Sequence, residues 1–135
     1  MTATNIFLFV YGTLLDERNP LGALLKNSCS GFKPGKFKGA LFDLGEYPGA
    51  LYRPDDDHFV YGTVFTMNDP DHTLKILDDY EGFGDGHPQP NDFIREVLEI
   101  ETDEGLLSCW IYLYNGPVYG HWHIASGNYT EYIGI

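Results

Sequence analysis

Ile6-Phe7-Leu8-Phe9-Val10-Tyr11-Gly12-Thr13-Leu14 is the stretch from which the rest of the chain is best read. Apolar side chains follow one another from Ile6 to Val10 without alternation, which describes a strand buried on both faces. The run stops at Tyr11-Gly12, ahead of a polar stretch. Glycine there permits unusual dihedrals and close ligand approach, so successive backbone N–H groups can form a nest for a carboxylate or an oxyanion. A plain turn uses the same residues, and both readings stand at this point. A phosphate loop does not, because no GxxxxGK[ST] or GxGxxG run is present.

Outward from this strand, Asn19-Pro20 reads as a helix start, with Leu21, Leu24 and Leu25 at helical spacing. Gly31 to Leu44 mixes Phe32, Phe37, Leu41 and Phe42 with Gly and Lys, as a bent strand does. Tyr47 to Leu51 is a turn entering a short strand, Asp55-Asp56-Asp57 a loop tip, and Phe59 to Met67 a strong strand. Asn68-Asp69-Pro70-Asp71 opens a helix that runs to Glu81, where Gly82 ends it. A Gly-, Pro- and Asp-rich loop follows. Phe93 to Glu101 and Leu106 to Tyr114 then form a hairpin across Thr102-Asp103-Glu104-Gly105. Beyond Asn115-Gly116-Pro117 no period is visible. With no linker or low-complexity stretch, residues 1–135 read as a single domain.

Phe9-Val10-Tyr11-Gly12-Thr13 recurs letter for letter as Phe59-Val60-Tyr61-Gly62-Thr63. Leu14-Leu15-Asp16-Glu17-Arg18 leaves the strand pattern after the first copy, whereas Val64-Phe65-Thr66-Met67 continues it after the second. The copies therefore belong to different structures, and the repeat is a coincidence.

Composition sets the class. Of 135 residues, 43% are hydrophobic and 16% aromatic, which argues against disorder, and 16 Gly with 8 Pro demand many turns. A compact, mostly β domain is expected. Lys and Arg number 8 against 20 Asp and Glu, a formal net charge of -12. Such a surface is repelled by phosphate backbones and anionic head groups, so neither nucleic acid nor membrane is expected as a partner. Solubility alone also accounts for the excess. Cys29 and Cys109 have no metal-binding or redox spacing; a single disulfide is open, but Cys109 inside an apolar run reads as a buried free thiol. Met1 to Asn5 carries no basic residue and no segment approaches a membrane span, so a cytoplasmic location is expected.

On the second helix, at about 100° per residue, Ile76, Tyr80, Leu77 and Leu74 trace an apolar arc of roughly 160°. Glu81 projects inside that arc, and Asp78 and Asp79 fall outside it. Glu81 also sits in the last turn, where the helix dipole disfavours negative charge, close to other acids. Burial, dipole and like charges push its pKa up, as acid–base work near neutral pH requires. An ordinary C-terminal Glu frayed into solvent is the competing reading. His121 and His123 around Trp122 share a strand face but lack a third ligand, and an exposed aromatic turn is the simpler account. No G-x-S-x-G elbow is present.

Val10-Tyr11-Gly12-Thr13-Leu14, Gly45-Glu46-Tyr47-Pro48-Gly49-Ala50, Tyr61-Gly62-Thr63-Val64-Phe65, Leu77-Asp78-Asp79-Tyr80-Glu81-Gly82, Trp110-Ile111-Tyr112-Leu113-Tyr114 and Ser126-Gly127 form an ordered series. Over residues 6–127 that series resembles the gamma-glutamylcyclotransferase-like family, which includes the AIG2-like proteins and the gamma-glutamylamine cyclotransferases. The resemblance implies an α+β fold, a small mixed β-barrel with flanking short helices and a cavity at one end. It implies that the loop Tyr11, Gly12, Thr13, Leu14 holds substrate through its amides, that Glu81 is the acid–base residue, and that Tyr47 and Tyr114 line the cavity. Members commonly carry Tyr-x-Arg where this chain has Phe93-Ile94-Arg95, and the loop from Phe83 to Asp92 is long.

The implied reaction releases 5-oxoproline and a free amine or amino acid from a gamma-glutamyl compound, without cofactor or metal. The implied partner is that small molecule, and the protein is a monomer or small homo-oligomer. Two other readings stay open: acyl transfer on another glutamyl substrate, and a binding or interaction protein that keeps the fold without turnover.

Overall fold

The unbroken apolar run at the N-terminus has two cores to serve. In the computed structural model, which describes residues 5–16 and 18–134, strand β1 (Phe7–Val10) sends Phe9 into one buried cluster and Leu8 and Val10 into another. The first cluster fills a barrel and includes Phe37, Val60, Val64, Ile100, Ile111 and Leu113. The second lies between the barrel wall and the helices, and includes Leu25, Phe65, Leu74, Leu77 and Tyr112. A strand with neither side wet needs no polar alternation.

β1 pairs antiparallel with β4 (Phe59–Met67) and parallel with β6 (Gly105–Tyr114). β6 pairs with β5 (Phe93–Thr102), and β4 with the long β2 (Cys29–Asp43). The pair Lys36–Glu101 joins β2 to β5 and closes a five-stranded barrel in the order β2-β4-β1-β6-β5. The far end of β2 leaves the barrel and takes on β3 (Pro48–Tyr52) and the two-residue β7 (Trp122–His123).

Three short helices flank this barrel: α1 (Pro20–Asn27), α2 (Pro70–Glu81) and α3 (Tyr129–Ile133). The Asn19 side chain caps α1 by accepting the Leu21 N–H at 3.0 Å, and Asp69 caps α2 by accepting that of His72 at 3.4 Å. α2 ends at Gly82 in the left-handed region, φ 72°, and Phe83 N–H returns to the Asp78 carbonyl at 2.9 Å. Only glycine takes that conformation without a steric penalty, which is why Glu81 is the last residue of the helix.

The expected strands and both expected helices are present. The segment after Pro117 contains two short elements that no hydrophobic period announces, β7 and α3. His121 lies in the turn before β7 and is exposed, while His123 packs 5.3 Å from Phe42 and 4.8 Å from His58. Both cysteines are free thiols, Cys109 buried with its pKa pushed up to about 12 by burial. Among the described residues, no helix is long and apolar enough to cross a membrane. The expectation about the N-terminus rests on Met1 to Thr4, which lie outside the described residues, as do Glu17 and Ile135.

Candidate active site

The end of β1, the end of α2 and two loops converge on a cavity of about 320 Å³. Its lining includes Tyr11, Gly12, Thr13 and Leu14 from the first strand and its turn, Glu46, Tyr47 and Pro48 from the β2–β3 turn, Tyr80 and Glu81 from α2, Asp92 and Phe93 at the start of β5, and Tyr112 from β6.

After Gly12 the chain folds at once into a single 3-10 turn, Thr13–Leu15, closed by Leu15 N–H to the Gly12 carbonyl at 3.0 Å and Asp16 N–H to the Thr13 carbonyl at 3.1 Å. A turn of this kind leaves its first amides, those of Thr13 and Leu14, without partners inside it. Gly12 has no side chain for a reason of space: a Cβ there would meet Pro48 Cγ at 2.8 Å. Its absence lets the β2–β3 turn close against the β1 turn and form one wall of the cavity.

Tyr11 contributes a locked wall. Its buried hydroxyl donates to the Tyr112 carbonyl at 2.6 Å and accepts the Ala50 N–H at 3.3 Å. Burial, reinforced by the nearby charge of Glu81, holds this phenol far above its ordinary pKa. With both hydrogen-bonding functions committed, the Tyr11 side chain has no free donor for a ligand.

Glu81 is partly buried in the cavity, and burial pushes its pKa up to about 7. No hydrogen bond or ion pair engages its carboxylate among the described residues. The helix phase that puts it there differs from the sequence pattern. Thr73, Leu74 and Leu77 are the buried side chains of α2, whereas Tyr80 is 45% exposed and Ile76 is only partly covered. At about 100° per residue, Thr73, Leu77 and Leu74 span an arc of about 100° with Glu81 roughly 20° inside its Leu74 edge. With the partly covered Asp78 counted, the inward arc widens to about 140° and Glu81 lies near its middle.

The same rotation turns Asp78 inward, against expectation. Arg95 grips it from two nitrogens at 2.7 and 3.0 Å, and the Tyr112 hydroxyl donates to Asp78 Oδ1 at 2.7 Å. The Arg95 guanidinium lies 4.4 Å over the Trp110 ring. Asp78 can face inward because a partner 17 residues along the chain neutralises it. Two acids three residues apart thus have opposite circumstances, one paired and one unpaired.

Tyr47 lines the cavity at its rim, 42% exposed, with its ring 5.7 Å from Phe93. Tyr114 does not line it; its ring packs 5.5 Å from Phe93, behind the wall. Phe93, at the position where Tyr is common in the family the sequence resembles, presents an apolar edge. Sequence reading missed Glu46, Asp92 and Tyr112. Tyr112 had a signal, since it alternates with Trp110 and Tyr114 on β6, but Glu46 and Asp92 come from two unrelated loops. The long loop behind Glu81 is bonded to itself, Asn91 accepting the Gly84 N–H at 3.0 Å and Gln89 donating to the Gly84 carbonyl at 2.9 Å.

Against known families, the model described as "Gamma-glutamyl cyclotransferase, AIG2-like" matches residues 8–131. YkqA of Bacillus subtilis is 27% identical over 129 residues, covering 95% of this chain but 42% of its own length. A Vibrio cholerae protein provisionally named a gamma-glutamylcyclotransferase is 32% identical over 124 residues, 92% of this chain and 95% of that one. The chain thus spans less than half of the first relative and nearly all of the second. The crystal structure of YkqA superposes with a TM-score of 0.70 over 96% of this chain and 41% of that one, at 27% identity. A mouse AIG2-like protein superposes at 0.64 over 87% and 83%, and at 23% identity that likeness speaks for the fold alone.

Proposed function

The chain belongs to the AIG2-like gamma-glutamyl cyclotransferase family, and from that premise we propose that it converts a gamma-glutamyl amide to 5-oxoproline and a free amine or amino acid, with Glu81 moving the proton. The observation that carries the reading is Glu81 itself: an unpaired, half-buried carboxyl with a pKa near 7, lining the same cavity as the Gly12–Leu14 turn.

In a gamma-glutamyl amide the α-amine can reach its own γ-carbonyl and close a five-membered ring. The attack is intramolecular, so positioning supplies much of the rate and no protein nucleophile is called for. Glu81, as carboxylate, takes a proton from the α-ammonium; the amine nitrogen bonds to the γ-carbon; Glu81 returns the proton to the leaving nitrogen as its bond to that carbon breaks; and the second proton, shed by the new ring nitrogen, follows the same route, so that the amine departs as an ammonium. The products sum to the substrate, and no water is consumed. Amides of Thr13 and Leu14 hold the α-carboxylate or the developing oxyanion, each good donor contributing about 3–4 kcal/mol where it meets developing charge. Tyr11, Tyr47 and Leu14 shape the walls, and Tyr114 supports Phe93 from behind. This chemistry needs no cofactor, and we read the chain as one domain acting in the cytoplasm.

Glu81→Gln tests the proposal. Against a panel of gamma-glutamyl amino acids, gamma-glutamyl amines and ε-(gamma-glutamyl)-lysine, 5-oxoproline release is expected to fall about 10²- to 10⁴-fold. Undiminished release removes Glu81 from the mechanism, and ligand binding by the wild-type protein without turnover on any member points to a binding protein. Because the carboxylate is the proton acceptor, kcat/KM is expected to rise with pH through about 7, where Glu81 ionises.

A further inference from the structure

Resting on the gamma-glutamyl reading above, we propose that the amine half of the substrate carries a positive charge and no carboxylate, as in a gamma-glutamyl diamine or polyamine. Its distal ammonium is held at the cavity rim by Glu46, Asp92 and the face of Tyr47.

The charged side chains lining the cavity are Glu46, Glu81 and Asp92, and among the described residues no Lys, Arg or His lines it. Their positions differ. Glu81 is partly buried, while Glu46 and Asp92 are exposed. Basic groups near the site are committed elsewhere. Arg18 borders the adjoining groove beside Thr13 and Tyr80, but it is bound to both carboxylate oxygens of Asp16 at 2.8 to 3.1 Å. Arg95, behind Tyr112, is clamped to Asp78. A carboxylate on the leaving group would therefore meet like charge at the rim and no counter-charge.

The glutamyl head uses up the inner groups. Its α-ammonium faces Glu81 and its α-carboxylate faces the turn amides, so Glu46 and Asp92 are surplus negative charge at the exit. A neutral alkyl tail gains nothing from them, whereas an ammonium gains from both and from an aromatic face. Tyr47 marks where these fields meet. Its phenol is held above its ordinary pKa by burial and then by Asp92, Tyr114, Glu81 and Glu46, so all three acids of the cavity act on this one ring. Phe93, 5.7 Å from the Tyr47 ring, brings no hydroxyl that would compete for the ammonium.

The test uses three tails of equal length on the same head: gamma-glutamyl-1,4-diaminobutane, gamma-glutamyl-pentylamine and gamma-glutamyl-5-aminovalerate, with 5-oxoproline release as the readout. At low ionic strength kcat/KM is expected to be about tenfold higher for the diamine than for the pentyl compound, and lowest for the aminovalerate. In the Glu46→Gln/Asp92→Asn variant the diamine-to-pentyl ratio is expected to fall toward one, and 0.5 M salt should lower the wild-type ratio in the same direction. Equal rates for the three tails in the wild type, or a ratio that survives the double substitution, overturn the inference while leaving the cyclotransferase reading standing. If none of the three releases 5-oxoproline while a gamma-glutamyl α-amino acid does, the inference alone falls; if no member of the wider panel does, the cyclotransferase reading fails and the inference falls with it.

Discussion

Residues 9–13 and 59–63 spell the same pentapeptide and lie beside each other, Val10 opposite Thr63 in the β1–β4 ladder. In the first copy Phe9, Val10 and Tyr11 are all at most 6% exposed, and the chain turns immediately after Gly12. In the second, Val60 is fully buried, Tyr61 is 41% exposed, and Gly62 continues a strand opposite Gly35. Even the missing side chain serves different ends. A Cβ on Gly12 would meet the Pro48 ring, whereas one on Gly62 would meet the backbone carbonyl of Val10 and, at 2.8 Å, the Phe9 ring. Five letters thus fix a local preference for strand and turn. The flanks and the neighbouring layers decide which copy becomes a cavity wall and which a strand in the barrel.

Five substitutions separate the copies. Gly62→Ala is expected to cost about 3 kcal/mol in urea unfolding, because backbone and a core ring must both move, against about 1 kcal/mol for Gly12→Ala, where one proline ring gives way. Comparable losses at the two glycines would break the distinction. Glu81→Gln concerns the first copy alone, since that acid acts on Tyr11. A carboxyl raised from 4.5 to about 7 in the folded state stabilises the fold at pH below 4.5, and that contribution is lost as pH rises through 7. Relative to wild type, the Gln variant should therefore gain about 2–3 kcal/mol of stability between pH 4.5 and pH 8. A flat difference would show that the acid feels no burial.

Removal of the two hydroxyls gives smaller effects. Tyr11→Phe leaves the Tyr112 carbonyl and the Ala50 N–H without their buried partner and is expected to cost about 1–2 kcal/mol. Tyr61→Phe, half exposed, should stay within about 0.5 kcal/mol of wild type. Equal costs would mean that the first tyrosine is no better anchored than the second.

What could be read from the sequence follows the range of the forces involved. The caps Asn19 and Asp69, the stop at Gly82 and the doubly buried run before Tyr11 are local, and they lie where the residues place them. α3 had a local signal too: Asn128 accepts the Glu131 N–H at 3.1 Å and Gly134 ends the helix with φ 79°, but five residues are too few to show a period. The phase of α2 could not be read, because it is settled by Arg95 reaching Asp78 across the fold. The barrel closure at Lys36–Glu101 and the meeting of Glu46 with Asp92 are likewise products of topology, with no trace in either segment taken alone. Glu81 was legible as an inward acid, though its central place on the buried face was not.

The proposed chemistry requires that this carboxyl be held protonated well above the usual range by the cavity it shares with the Gly12–Leu14 turn. A pH titration of the Glu81 side-chain carboxyl carbon by NMR, assigned against Glu81→Gln, reads this directly. A midpoint near 7 is expected; a midpoint near 4.5, the value of a solvated glutamate, would contradict it.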